Sequence, residues 1–225
     1  MITTLTFDLD DTLWSTHEVI GRAEQILFDY LRTHCPAFVE QHSVQSFAKM
    51  RQGLIAMDPA RAHNLRRLRR DALAIEFQRL GQPNADALAD QASQIFQTAR
   101  QQVNFWPGVL EALAELATRY QLIAITNGTT DILASQAGEY FSGAFRADQF
   151  TRGKPDPEMF QAAMAAHDFT PAQAVHVGDH WDQDILAAKA LGLATAWIST
   201  QPAPGPEADW HLSSVRELPD ALAHH

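Results

Sequence analysis

The residues best placed to do chemistry stand close to the N-terminus. Asp8, Asp10 and Asp11 put three carboxylates within four positions, directly after the apolar run Ile2 to Phe7. That run is too short to be a helix of its own, so it reads as a buried strand ending in acids. Carboxylates are seldom placed at a core edge without a partner. Side chains alternate along a strand, so Asp8 and Asp10 project to one side and Asp11 to the other. Two neighbouring carboxylates repel each other, and a divalent cation between them relieves the repulsion. A few hard oxygen ligands, with room left for water and phosphate, suit Mg²⁺ better than zinc.

Three further groups could serve the same chemistry. Leu122 to Ile125 is a second short apolar run, and it ends in Thr126-Asn127-Gly128. Thr126 offers a hydroxyl there, and the backbone N–H groups of Asn127 and Gly128, at the entrance of a helix expected from about Thr130, offer a cradle for phosphate. Lys154 lies in the loop Arg152-Gly153-Lys154-Pro155 and is one of only three lysines, with Lys49 and Lys189. A lysine on such a loop can neutralise both a carboxylate nucleophile and a phosphoryl oxygen. A third buried run, Ala174 to Val177, ends in Gly178-Asp179. Asp179 is expected to reach the metal, whereas Asp184, already within a helix, orients the metal's waters or Lys154.

These groups need a scaffold that delivers strand ends to one place. Further strands are expected at Ala144–Arg146 and Ala194–Ile198. Helices are expected at Val109–Tyr120, from Thr130 toward Glu139, and at Glu158–His167, Asp182–Leu191 and Val215–Leu222. Alternating strands and helices indicate a parallel sheet covered on both faces, with ligands beyond its carboxyl ends. Between His17 and Gln102 the pattern is helical throughout, with apolar positions such as Val44, Phe47, Met50 and Leu54. The fold class is therefore α/β: a core of residues 1–15 and 103–225, interrupted after its first strand by a helical domain of residues 16–102. Phe47, Phe77 and Phe96 are expected in that domain's own core. Its basic run (Arg61, Arg66, Arg67, Arg69 and Arg70) reads first as a solvated face. The alternative is that one or two of these arginines hold a distal part of an anionic substrate.

Composition excludes several classes. With 17 basic and 27 acidic residues the formal charge is -10, which argues against nonspecific binding to nucleic acid or an anionic membrane. The lone cysteine, Cys35, rules out an internal disulfide framework and fits a reducing compartment. The N-terminal run lacks the basic flank of a secretory signal, and no apolar stretch is long enough to span a bilayer. A cytoplasmic protein is expected. Whether His224-His225 are native is open.

Taken in order, Asp8-Leu9-Asp10-Asp11-Thr12, Thr126-Asn127-Gly128, Lys154-Pro155 and Gly178-Asp179 with Asp184 resemble the haloacid dehalogenase superfamily of aspartate-nucleophile phosphohydrolases. The resemblance covers the whole chain and implies a Rossmann-like three-layer α/β/α core with a mostly parallel sheet, plus an inserted helical-bundle cap. It implies a Mg²⁺-dependent phosphatase of a small phosphorylated metabolite, monomeric or homodimeric, working through an aspartyl-phosphate. Asp8 would be the nucleophile. Asp10 would be the acid and then the base, its backbone carbonyl also ligating metal with Asp8 and Asp179. Thr126 and Lys154 would stabilise the transition state. The implied phosphate-binding set is Asp8, Leu9, Asp10, Thr126, Asn127 and Lys154. Asp10 argues against the dehalogenating branch, since a halide leaves without protonation. A phosphosugar mutase and a catalytically silent binding domain are the alternatives. The stretches Phe7 to Trp14, Ile125 to Gly128, Gly138 to Phe141, Phe145 to Ala147 and His176 to Asp179 are similar to bacterial phosphatases of FMN and of a ribitylaminouracil phosphate. Specificity is expected to reside in the helical domain.

Overall fold

A computed structural model describes residues 1–223, the side chains of residues 62 and 63 excepted. The question of His224-His225 lies outside the described residues. In chain order the elements are β1 (Thr4–Phe7), α1 (Thr16–His34), α2 (Pro36–Gln41), α3 (Val44–Met57), α4 (Leu65–Arg79), α5 (Ala85–Arg100) and α6 (Val109–Ala117). These are followed by β2 (Gln121–Thr126), β3 (Phe141–Arg146), α7 (Glu158–His167), β4 (Ala174–Gly178), α8 (Ala187–Ala190), β5 (Ala194–Ile198), β6 (Trp210–Leu212) and α9 (Leu218–Ala223). The chain divides into two compact units, Met1–Thr16 with Asn104–His225, and His17–Val103. No described helix is long and apolar enough to cross a membrane.

The first unit is built on a six-stranded sheet of order β3-β2-β1-β4-β5-β6, every neighbouring pair parallel. Both faces are covered, so β1 and β4 are buried along their whole length. This explains why they read as apolar runs rather than as alternating strands. Ile123 and Ile125 of β2 pack with Met159, Phe160 and Ala163 of α7 and with Ala187 and Ala188 of α8. The strand order runs outward from β1 in both directions, to β2 on one side and β4 on the other. A crevice at such a switch point, beyond the carboxyl ends of the strands, is where open α/β sheets place ligands. Asp8 follows β1 and Asp179 follows β4, so the sheet topology alone puts them side by side.

Three local readings are corrected. No α-helix starts at Thr130; the chain makes two short 3₁₀ turns, Ile132–Ala134 and Gly138–Tyr140. Side chains compete with the helical backbone there: Asp131 accepts from the Leu133 N–H, and Ser135 donates to the Ile132 carbonyl while accepting from the Ala137 N–H. The expected helix Asp182–Leu191 begins instead as a π-helical stretch, Trp181–Leu186, before the short α8. Strand β6 was not foreseen, because three residues interrupted by His211 carry too little pattern.

The second unit is a helical bundle whose core gathers Phe28, Phe38, Phe47, Phe77 and Phe96 with Leu27, Leu31 and Leu73. Cys35 is buried in the same core. The basic run splits. Arg61 and Arg67 face Asp71, Arg70 reaches Asp86 at 2.9 Å and Asp90 at 2.8 Å, and Arg66 donates to Gln94. Arg69 turns inward instead. It donates to Glu24 at 2.7 Å and lies 3.4 Å from the Phe96 ring centre, while Arg51 donates to the same Glu24 oxygen at 2.9 Å.

Candidate active site

The turn after β1 sets the position of the first carboxylates. Leu13 donates its N–H to the Leu9 carbonyl, and Asp11 adopts the left-handed conformation (φ 59°) that Asp tolerates better than most residues. Its side chain accepts from the Thr16 N–H at 2.9 Å, tying the turn off. Asp10 is held within the same turn, where Oδ1 accepts from the indole N–H of Trp14 at 3.0 Å. Trp14 is fully buried and packs edge-on against Phe105.

Lys154 Nζ donates to Asp8 Oδ1 at 2.8 Å and to Asp184 Oδ1 at 2.5 Å, and the lysine side chain is almost completely buried. A buried ammonium is costly unless it is paired. Burial works against its charge, but Asp184 and Asp8 outweigh that and hold its pKa above the ordinary lysine value. The loop carrying Lys154 is held by Asn127. Its Oδ1 accepts from the Lys154 N–H at 2.8 Å, and its Nδ2 donates to the Lys154 carbonyl at 2.8 Å and to Gln183 at 2.8 Å. Asn127 was expected to offer its backbone N–H at a helix entrance. That helix is absent, and the Asn127 side chain positions Lys154. Glycine is required beside it, since a Cβ at Gly153 would come within 2.4 Å of Asn127 Oδ1. Thr126 is buried, and its hydroxyl oxygen accepts from the Gly128 N–H at 2.9 Å, which leaves its O–H to donate.

Asp8, Asp179 and Asp184 each bring a carboxylate oxygen to within 4.8 Å of the other two, the spacing of a group that could hold a metal ion. Burial, with Asp184 and Asp179 adding repulsion, pushes Asp8 well above the ordinary carboxylate range despite Lys154. Burial and Asp184 likewise push Asp179 up to about 6, although Thr12 donates to it at 3.1 Å. Asp184 goes the other way. Burial opposes its charge, but Lys154 and His176 hold it well below the ordinary range. Three carboxylates against one ammonium leave two uncompensated negative charges, so the residues present fit a divalent cation held by oxygen. The carboxylate of Asp10 is not among the three; the part that the resemblance gives Asp10 in metal binding rests on its backbone carbonyl. Close approach demands glycine here too, because a Cβ at Gly178 would lie 2.4 Å from Asp184 Cγ.

Four residues of this site had no role assigned from the sequence. His176 is fully buried in β4 and bridges Thr6 Oγ1 (2.8 Å) and Asp184 Oδ1 (3.2 Å). Burial keeps it neutral, with a pKa below the usual histidine value. Because a carboxylate only accepts, Nε2 carries the proton toward Asp184 and Nδ1 accepts from the Thr6 hydroxyl. The signal available was a histidine and two threonines at buried strand positions, where apolar residues are the rule. Thr12, Trp14 and Trp197 complete the set, the last donating its indole N–H to the Asp179 carbonyl at 2.7 Å.

Comparison with known proteins agrees with this geometry. The model of the haloacid dehalogenase-like hydrolase family matches residues 2–192. The 5-amino-6-(5-phospho-D-ribitylamino)uracil phosphatase YigB of Escherichia coli is 29% identical over 199 residues, covering 88% of this chain and 83% of that protein. The pyrophosphatase PpaX of Bacillus velezensis is 24% identical over 230 residues, covering 96% and 94%. A solved structure described as a 2-haloacid dehalogenase from Pseudomonas syringae is 34% identical and superposes with a TM-score of 0.89, covering 100% of this chain and 99% of that one. A topology that sets acidic strand ends at its switch point, a buried lysine joining two of those acids, and a family match over most of the length lead to one conclusion: the chain belongs to the haloacid dehalogenase-like hydrolase family.

Proposed function

We propose that the protein is a Mg²⁺-dependent phosphatase of a small phosphomonoester, with Asp8 as nucleophile. The observation that carries this reading is the separation of two carboxylates only two positions apart in the chain: Asp8 sits in the buried charge cluster with Lys154, and Asp10 accepts from the Trp14 indole. A nucleophile and an acid–base group need such different surroundings. In the proposed first step an Asp8 oxygen forms a bond to phosphorus as the bond to the leaving oxygen breaks, and Asp10 delivers a proton to that oxygen. In the second step Asp10 takes a proton from water, which attacks phosphorus and releases Asp8 and inorganic phosphate. Lys154 and the Thr126 hydroxyl offset the charge on the phosphoryl oxygens. A cation bound by Asp8, Asp179 and the Asp10 carbonyl would draw the phosphate dianion toward a site that otherwise repels it. Asp184 fixes Lys154 in place.

The test is phosphate release from a panel of sugar phosphates, nucleotides and FMN. Release is expected with Mg²⁺ and is expected to stop in excess chelator; full turnover without metal would sink the reading. The similarity to a structure described as a 2-haloacid dehalogenase favours a second reading, in which Asp8 displaces halide from carbon. Halide departs without a proton, which would leave Asp10 and its Trp14 contact without a task. Halide release from a 2-haloacid, measured beside phosphate release, separates the two.

A further inference from the structure

We propose that a cavity of about 580 Å³ at the carboxyl ends of β4, β5 and β6 is an anion subsite for a second, remote acidic group of the substrate, with Arg216 as its cation. This deepens the phosphatase reading, on which it rests, and moves part of the specificity from the helical unit into the core.

The cavity is lined by Asp11, Asp179, Ser199, Thr200, Ser214 and Arg216, among others, all in the sheet-bearing unit. Asp179 belongs to the carboxylate cluster around Asp8, so the cavity opens beside the position a phosphoryl group would take. Its volume lies within the range of small-molecule sites and exceeds what a phosphoryl group alone requires.

The chemistry of its far wall is that of a donor set. Ser199 Oγ accepts from the Gln201 N–H at 3.1 Å and Ser214 Oγ from the Arg216 N–H at 3.4 Å, so each retains its O–H to donate. The Arg216 stem lies against Gly108, where an added Cβ would come within 3.4 Å of Arg216 Cβ. No hydrogen bond or ion pair engages its guanidinium among the described residues, although acids outnumber bases 27 to 17 in this chain. Arg70, by contrast, is held by both Asp86 and Asp90. Of the two acids of the cavity, Asp11 accepts from the Thr16 N–H and Asp179 from the Thr12 hydroxyl, and Asp179 is one of the three clustered carboxylates. A ligand with phosphate at one end and a carboxylate or second phosphate at the other matches this polarity. An uncharged leaving group would offer the exposed guanidinium no more than water already does, whereas a second anion can take a bidentate contact from it.

The experiment compares ω-phosphorylated carboxylic acids of two to five carbons with alkyl phosphates of equal length, using wild type, Arg216→Ala and Arg216→Lys with Mg²⁺. At one or more lengths the wild type is expected to prefer the acid. Arg216→Ala is expected to lower the acid-to-alkyl ratio of kcat/KM by about 10-fold or more, chiefly through KM, as loss of a charge-assisted contact does. Arg216→Lys is expected to recover part of it. Unaltered melting temperatures would show that these exposed substitutions leave the fold intact. An equal ratio in wild type and Arg216→Ala at every length overturns the subsite, as does a wild type that never prefers the acid. Failure of the wild type to hydrolyse any ester overturns the phosphatase reading itself, and the subsite falls with it.

Discussion

Each unit of this protein buries a cluster of charges, and the two clusters have opposite sign. In the sheet-bearing unit Asp8, Asp179 and Asp184 surround Lys154, with negative charge in excess. In the helical unit Arg51 and Arg69 share one oxygen of Glu24, with positive charge in excess. The helical cluster is covered by aromatic faces, Arg51 lying 4.6 Å from the Phe47 ring centre and Arg69 packing on Phe96. A guanidinium is planar and weakly hydrated, so it can be buried against rings while one carboxylate answers for two of them. Carboxylates have no such recourse. Crowded together they shift their pKa values or take up a cation, as the raised Asp8 and Asp179 indicate. Burial of excess charge thus reads as packing in one unit and as an unmet demand for a ligand in the other.

The largest expected effect lies in the acidic cluster. Asp8→Asn is expected to abolish turnover, a loss of the order of the ~10⁶-fold seen when a nucleophile is removed. Asp10→Asn should lose about 10²–10⁴-fold while metal binding persists, since only proton transfer is removed. Steady-state rates with Mg²⁺ titrations check both, and wild-type turnover in Asp8→Asn would end the covalent mechanism.

Removing the central group of each cluster sharpens the contrast. Lys154→Met and Glu24→Gln each strand buried charges of one sign, which typically costs about 3–5 kcal/mol. The melting temperature of Lys154→Met is expected to recover on addition of Mg²⁺, because a cation answers stranded carboxylates. That of Glu24→Gln is expected to ignore Mg²⁺. Equal responses would mean that the clusters do not differ in kind.

The pH dependence follows from Asp179, whose pKa of about 6 lies above the ordinary carboxylate value. The folded protein holds this proton more tightly than the unfolded chain does. Metal-free stability should therefore fall as pH rises from about 4 toward 6. A cation must displace the same proton, so Mg²⁺ affinity should strengthen as pH rises through about 6. Calorimetric titrations at pH 5 and pH 7.5 would break this expectation if they gave equal affinity.

A smaller effect is expected one contact further from the chemistry. His176→Phe removes the Asp184 and Thr6 hydrogen bonds and should cost roughly 1–3 kcal/mol of stability. It should lower kcat more than it raises KM, because Lys154 loses its orientation through Asp184. Least of all, Arg70→Ala should leave the melting temperature unresolved from wild type, since its partners Asp86 and Asp90 are exposed and screened by solvent.

The acidic strand ends, the helical interruption after β1 and the rarity of Lys154 were legible in the residues alone, because each is a local departure from an otherwise regular pattern. Strand β1 was legible since both its faces are buried and its run ends abruptly in Asp8. Strand β6 and the turns after Thr130 were not, because three residues hold no period and the competition of Asp131 and Ser135 with a helix is settled by geometry. Tertiary structure alone decided which groups meet. Asp8 and Asp184 are 176 positions apart in the chain and share one ammonium, and nothing in local pattern reports that sharing. The clasp of the Asn127 side chain on Lys154 was hidden for the same reason: a side-chain amide has no periodic signature, and its partners are chosen by the loop that packs against it. Arg69 shows the rule most plainly. Its neighbours in sequence, Arg66, Arg67 and Arg70, face polar partners at the surface, yet the pitch of α4 turns this one arginine inward, and only the bundle supplied Glu24 and Phe96 to receive it.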